Sequence, residues 1–339
     1  MRIKRSLACI LLIFLAVHLM ACGTKARGIA ETGLEETDST GIEVRQPDVP
    51  GEREAEEEKD KDTDKDKDKD KDVNEVLSEK EEVKEEPAVD PDSKKLQGEY
   101  AHLDNTRLAW WFRREKDNKP STTNADIEAL LKKYDGMFIE HTDQKVLYLT
   151  FDEGYENGYT PKILDILKEN KVPAAFFITG SYLKHHEDLV KRMVEEGHIV
   201  ANHTVTHPSM PGVFDEKKLE EEILGVERAF YEAFQKNMKY LRPPKGEYSE
   251  RTLAITQNLG YQTVFWSFAY RDWETDKQKG ADYAYKNVMG GIHNGAILLL
   301  HAVSQDNAEA LERIIKDARE KGYEFKSLDD IALEQEEEE

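Results

Sequence analysis

From Val146 to near the end of the chain, short apolar runs alternate with stretches whose apolar residues recur at helical spacing. Val146 to Phe151, Ala174 to Thr179, Ile199 to Ala201, Met238 to Leu241, Gln262 to Trp266 and Ala296 to Leu300 read as buried strands. Thr160 to Glu169, Glu187 to Glu196, Glu216 to Ala233, Ser249 to Asn258, Asp282 to Ile292 and Asn307 to Lys321 read as helices, the second of them stopped by Gly197. Strands that alternate with helices bury both faces only as a mostly parallel sheet with helices outside it, so the fold class is α/β. The number of units favours a closed or nearly closed barrel over an open sheet. Such barrels carry their chemistry at the carboxyl ends of the strands. Ahead of this rhythm, Ala101 to Gly136 reads as a leading segment, with Trp110-Trp111-Phe112 at its start and an amphipathic stretch from Ala125 to Tyr134.

The remainder of the chain cannot join that core. Gly23 to Gln97 contains no aromatic residue and carries 26 acidic against 14 basic side chains, with near-strict Lys-Asp alternation from Lys59 to Asp72. Such a segment buries too little apolar surface to offset the entropy of ordering it, and is expected to be a disordered, solvated spacer over residues 23–98. It holds more than half of the net charge of −22. The acidity argues against a nucleic-acid partner, which requires a basic face. At the start, Arg2, Lys4 and Arg5 precede an apolar run from Leu7 to Val17, the pattern of an export signal and short for a membrane span. Leu19-Met20-Ala21-Cys22 closes it and resembles a bacterial lipobox, in which cleavage over residues 1–22 leaves Cys22 as a lipid-bearing N-terminus. An ordinary cleavable signal and an uncleaved anchor are the alternatives. Lipid anchoring places the protein on the outer face of the cell membrane. Cys9 and Cys22 are the only cysteines, so there is no disulfide framework and no thiolate site further on.

Polar residues directly after apolar runs are the candidates for chemistry. They are Asp152 and Glu153; His203 and His207; Arg242 in Arg242-Pro243-Pro244-Lys245-Gly246; and His301, with Asp272-Trp273 lying further on after Trp266. Two imidazoles four residues apart fall on one face of a helical turn, a spacing that lets both reach one metal ion. Alone this is a weak signal. A pair of carboxylates at another strand end strengthens it, since one can complete the metal site while the other acts as base toward water. His185, His186, His198 and His293 lie on helix faces or at strand starts and read as structural or solvated.

These motifs resemble the carbohydrate esterase deacetylases related to the chitooligosaccharide deacetylase NodB, whose pattern runs Thr-Phe-Asp-Asp, His-Ser/Thr-x-x-His, Arg-x-Pro-Tyr, Asp-Trp and Leu-x-His. Counterparts to all five occur in order over about residues 145–335. A closer resemblance, to the delta-lactam-biosynthetic de-N-acetylases of spore-forming bacteria, is carried by Tyr148 to Thr160, Asn202 to Pro211, Leu241 to Glu250, Thr263 to Trp273 and Leu300 to Ala310. The resemblance implies a distorted NodB-type (β/α) barrel in a catalytic domain over residues 99–339. It implies Asp152 as general base, His301 as general acid, Arg242 holding Asp152, Asp272 supporting His301, and the Lys245 backbone N–H as an oxyanion donor. Metal ligation is implied for Glu153, His203 and His207, with a divalent cation, zinc first and manganese or cobalt as alternatives. Lys245 stands where the wider family has Tyr, and Glu153 where it usually has Asp, one methylene shorter. Trp266, Trp273 and Leu299 are either walls of an acetyl pocket or plain core. The implied reaction removes the N-acetyl group of muramic acid in peptidoglycan, leading to the muramic delta-lactam of spore cortex, by a monomer acting on the glycan strand. The alternatives are a general peptidoglycan or chitin-type N-acetylglucosamine deacetylase, a non-catalytic sugar-binding lipoprotein and a structural lipoprotein.

Overall fold

The computed structural model describes residue 96 and residues 98–331, all within one compact unit of the chain. The signal segment, Cys22 and almost all of the acidic spacer lie outside the described residues, as does 332–339. In chain order, β1 (Leu108–Ala109), α1 (Ala125–Lys133) and β2 (Gly136–Met137) lead into β3 (Val146–Glu153), α2 (Thr160–Asn170) and β4 (Ala175–Ile178). Then come α3 (Gly180–His185), α4 (Glu187–Glu195), β5 (Ile199–Asn202), α5 (Glu216–Phe234), β6 (Tyr240–Leu241), β7 (Glu247–Tyr248) and α6 (Glu250–Asn258). β8 (Gln262–Val264), α7 (Ala281–Met289), β9 (Ala296–His301), α8 (Gln305–Glu320) and β10 (Glu324–Lys326) follow. Among the described residues no helix is long and apolar enough to cross a membrane.

The main sheet is parallel throughout, in the order β10-β3-β4-β5-β6-β8-β2, with β9 also paired to β3. It curls until its far side meets β9 again, where single bridges join Ile139 to Ala296 and Phe268 to Leu298. The result is a curled, incompletely hydrogen-bonded barrel with helices around it. All eight residues of β3 are buried, as a strand covered on both faces requires. Leu147, Leu149 and Phe151 face outward into one apolar cluster with Ile163, Leu164 and Leu167 of α2 and Leu311 and Ile314 of α8. Val146 and Tyr148 face the barrel interior with Phe177, Val264, Ile297 and Leu299. Period-two alternation therefore points Thr150 and Asp152 inward and Glu153 outward.

Four features depart from the sequence reading. Expected to run to Ile292, α7 ends at Met289, where Gly290-Gly291 stops it. The short helix α3, which begins at Gly180, was not expected, nor was the last strand, β10. β1 and β7 are only two residues each and form a separate antiparallel ribbon, too short for any periodic signal.

Candidate active site

Asp152 closes the inward row of β3, and its partner in register on the neighbouring strand β9 is His301. Inside the barrel, Arg242 leaves the end of β6 with no exposed surface. Its guanidinium donates from Nη1 to Asp152 Oδ1 at 2.7 Å, from Nη2 to Thr150 Oγ1 at 3.0 Å and to the Phe265 carbonyl at 3.3 Å, and from Nε to the Val264 carbonyl at 3.1 Å. The Phe177 ring lies 4.0 Å beneath it. A buried charge is tolerable only when its donors are used in this way. Burial pushes the Asp152 carboxyl up, but the Arg242 charge and hydrogen bond, with His203 and His301 beside it, together outweigh burial and the net direction is below the usual range.

His301 ends β9, and its Nδ1 donates to Asp272 Oδ1 at 2.8 Å, which leaves Nε2 for chemistry. Asp272 also accepts from the His301 backbone N–H at 2.9 Å. Burial works against the His301 imidazolium, yet the Asp272 anion prevails and raises its proton affinity above that of an ordinary histidine. The two residues therefore carry opposite biases: the carboxylate is held charged without a proton, and the imidazole is held with one. The half-buried Trp273 indole meets the His301 ring edge-on at 5.5 Å between centroids. Trp266 and Leu299 are buried in the interior cluster.

His203 and His207 lie with ring centroids 4.8 Å apart, on a loop and not on the helical turn that their spacing suggests. Thr204 and His207 both have positive φ, 66° and 59°, and Pro208 follows, which disfavours helix at His207. Buried Asn202 accepts from the Thr204 N–H at 2.8 Å and donates to the Ile223 carbonyl at 2.8 Å. The Glu222 carboxylate accepts from the Thr206 N–H and hydroxyl at 2.8 and 2.7 Å. His203 Nδ1 donates to the Arg242 carbonyl at 2.8 Å, so Nε2 carries the lone pair, 3.5 Å from Asp152 Oδ2. Burial lowers both imidazoles, His207 to about 3, and both are neutral donors. Two neutral imidazoles suit a divalent cation of borderline softness. Glu153 is not brought into a set with them: among the described residues no three His, Cys, Asp or Glu side chains are arranged to hold a metal ion. Its carboxyl is fully buried, both oxygens lack a hydrogen-bond donor, and burial with Glu156 and Asp152 nearby pushes it well above the usual range.

Lys245 sits in the turn after Arg242 with φ 60° and ψ 9°, a left-handed conformation that costs a non-glycine residue about 1 kcal/mol or more and often marks a functional turn. Gly246 follows with φ +63°, where an added Cβ would strike Trp266 and Trp110. The Trp110 N–H donates to the Gly246 carbonyl at 2.8 Å and its indole N–H to the Trp266 carbonyl at 3.0 Å, so the leading segment braces this turn. No ion pair among the described residues involves the Lys245 ammonium, whose charge reaches His207. His185, His186, His198 and His293 stand apart from this cluster; His293 bonds the Ser267 hydroxyl, and buried His198 lies edge-on to Phe176.

A curled parallel barrel with a carboxylate held charged, an imidazole held protonated and two neutral imidazoles at its strand ends is an arrangement suited to a hydrolase that needs no side-chain nucleophile. The chain belongs to the polysaccharide deacetylase family, the carbohydrate esterases of family 4, which hydrolyse N-acetyl amide bonds and are generally metal-dependent. The family pattern matches residues 139–264. The chain is 45% identical to the peptidoglycan-N-acetylmuramic acid deacetylase PdaA of Bacillus subtilis (strain 168) over 233 residues, 68% of this chain and 88% of that one. It also resembles the solved structure of Bacillus subtilis PdaA with a TM-score of 0.67 at 44% identity, covering 69% of this chain and 100% of that one. A family 4 carbohydrate esterase from Bacillus anthracis matches with a TM-score of 0.58 at 46% identity, covering 68% and 98%.

Proposed function

We propose that the protein removes the N-acetyl group from muramic acid in peptidoglycan, and that the freed amine then closes on the lactyl carboxylate to give the muramic delta-lactam of spore cortex. The observation that carries the reaction class is the register of Asp152 with His301, each oriented by its own partner, Arg242 and Asp272. An acetamide is a poor electrophile with a poor leaving group. Asp152 takes a proton from the attacking water. The Lys245 N–H donates to the oxygen that gains charge, and His301 Nε2 passes a proton to the departing nitrogen. His203 and His207 hold a divalent cation, zinc before manganese or cobalt, which when bound supplies Lewis acidity toward the acetyl carbonyl.

Muramic acid differs from glucosamine by a lactyl carboxylate, and the Lys245 ammonium, in no ion pair among the described residues, is the charge that suits it. The likeness to PdaA supports the same substrate. An export signal with a lipid on Cys22 places the enzyme outside the cell membrane, where this substrate lies, and it works there as a monomer. The test is acetate release by the purified domain from glycan strands already stripped of stem peptides. Wild type should release acetate, His203→Ala and His207→Ala should lose most of it together with bound metal, and Asp152→Asn should be inactive with metal retained. Undiminished turnover in Asp152→Asn would refute the assignment of the base.

A further inference from the structure

The first turn of α8 reaches the acid side of the site through a residue that carries none of the motif chemistry. Asn307 is buried, and its Nδ2 donates to Asp272 Oδ2 at 2.6 Å and to the His301 carbonyl at 3.3 Å. Its Oδ1 accepts from the Tyr270 hydroxyl, which fixes which way the amide faces. The Asn307 backbone is held in turn, since its N–H donates to the Ser304 hydroxyl at 3.2 Å. Asp272 thus accepts three hydrogen bonds, two from His301 and one from Asn307.

Asp272 lies on an irregular stretch between β8 and α7, where no sheet ladder or helix fixes its backbone. The same turn of α8 ties that stretch down. Asp306 accepts from the Lys279 and Gly280 N–H groups at 2.7 and 2.8 Å. Gln278 accepts from the Ser304 hydroxyl at 2.8 Å and the Asp306 N–H at 3.2 Å, and donates to the Asp272 carbonyl at 3.1 Å. With Oδ1 given to His301 and Oδ2 to Asn307, the carboxylate cannot rotate about its final bond without breaking a charge-assisted hydrogen bond.

We propose that Asn307, locked by Tyr270, is a positioning residue for the general acid: it fixes the Asp272 carboxylate so that the His301 imidazole is held with Nε2 toward the departing nitrogen. The proposal rests on the reading of His301 as general acid. Small errors in the aim of a proton donor reduce turnover without altering substrate binding. The deficit therefore belongs to amide substrates, whose nitrogen leaves only when protonated. An aryl ester such as para-nitrophenyl acetate expels a stable phenolate and needs no acid.

The experiment compares wild type, Asn307→Leu, Tyr270→Phe and His301→Ala on stripped glycan and on para-nitrophenyl acetate, with thermal unfolding recorded for each. It also follows the downfield proton resonance of the His301 Nδ1–H against Asp272. Asn307→Leu should lower kcat on the glycan ~10-fold and the gentler Tyr270→Phe ~3-fold, with KM unchanged, ester turnover kept within ~2-fold and the downfield resonance displaced. Equal losses on glycan and ester, or an unmoved resonance with unchanged kcat in both variants, would overturn the positioning role. Full glycan turnover by His301→Ala would instead overturn the reading beneath it.

Discussion

Arg242 and Asp272 do the same work on opposite sides of the site, each fixing the charge of a neighbour that must exchange a proton. With Arg242 holding Asp152 below the usual carboxylate range, the base is already ionised below about pH 4. With Asp272 raising His301, the acid stays protonated beyond its ordinary value of about 6.5. Turnover should therefore be level through neutral pH and fall on the alkaline side as His301 loses its proton. Asp272→Asn removes the anion and leaves the burial that disfavours the imidazolium, so the alkaline limb of kcat/KM should move to lower pH and kcat at neutral pH should drop ~10- to 100-fold. A pH profile with an unmoved limb would detach Asp272 from the acid. Asp152 and His301 were legible because each directly follows an apolar run, a strong one-dimensional signal, whereas Asp272, six residues beyond Trp266, was marked only by the Asp-Trp pair of the family resemblance. Thr150, Asn307 and Tyr270 were not, because what marks them is a hydrogen bond across 92, 35 or 37 residues of chain.

At the scale of elements, the alternating runs predicted β3, β4, β5 and β9 to within a residue or two of their observed ends, because strands buried on both faces read as continuous apolar segments. The loop carrying His203 and His207 was misread as a helical turn. Four-residue spacing is a helical signal only if the intervening backbone is helical, and Thr204 and the residue before Pro208 are not. What shapes that loop is Asn202, buried at the end of β5 and bonded to both the loop and α5. Asn202→Ala leaves the Ile223 carbonyl and the Thr204 N–H without their partner and should cost about 1–3 kcal/mol of stability. Because the same bonds hold the two imidazoles at their spacing, metal affinity should fall as well, ~10-fold or more by competition with a chelator. A variant destabilised to that extent with unchanged metal affinity would separate the loop's shape from its ligation. The β1 and β7 ribbon beside the turn that Trp110 braces was invisible in the sequence, since two residues carry no period.

For the whole molecule, the charge distribution matters more than its total. The acidic stretch that reads as a spacer contains more than half of the net charge of −22, and Leu19-Met20-Ala21-Cys22, which resembles a lipobox, stands before it. Cys22→Ala should abolish labelling by a palmitate analogue and move the protein out of the membrane fraction, and unchanged labelling would remove the anchor from the account. The substrate is the claim on which the rest converges, because the barrel and its acid and base define the reaction better than they define the sugar. Mass spectrometry of amidase-stripped glycan after incubation with the purified domain tests it most directly. The account predicts loss of acetyl from muramic acid and not from glucosamine, followed by loss of water as the amine closes on the lactyl carboxylate. Equal deacetylation of N-acetylglucosamine oligomers with no lactam formed would contradict it.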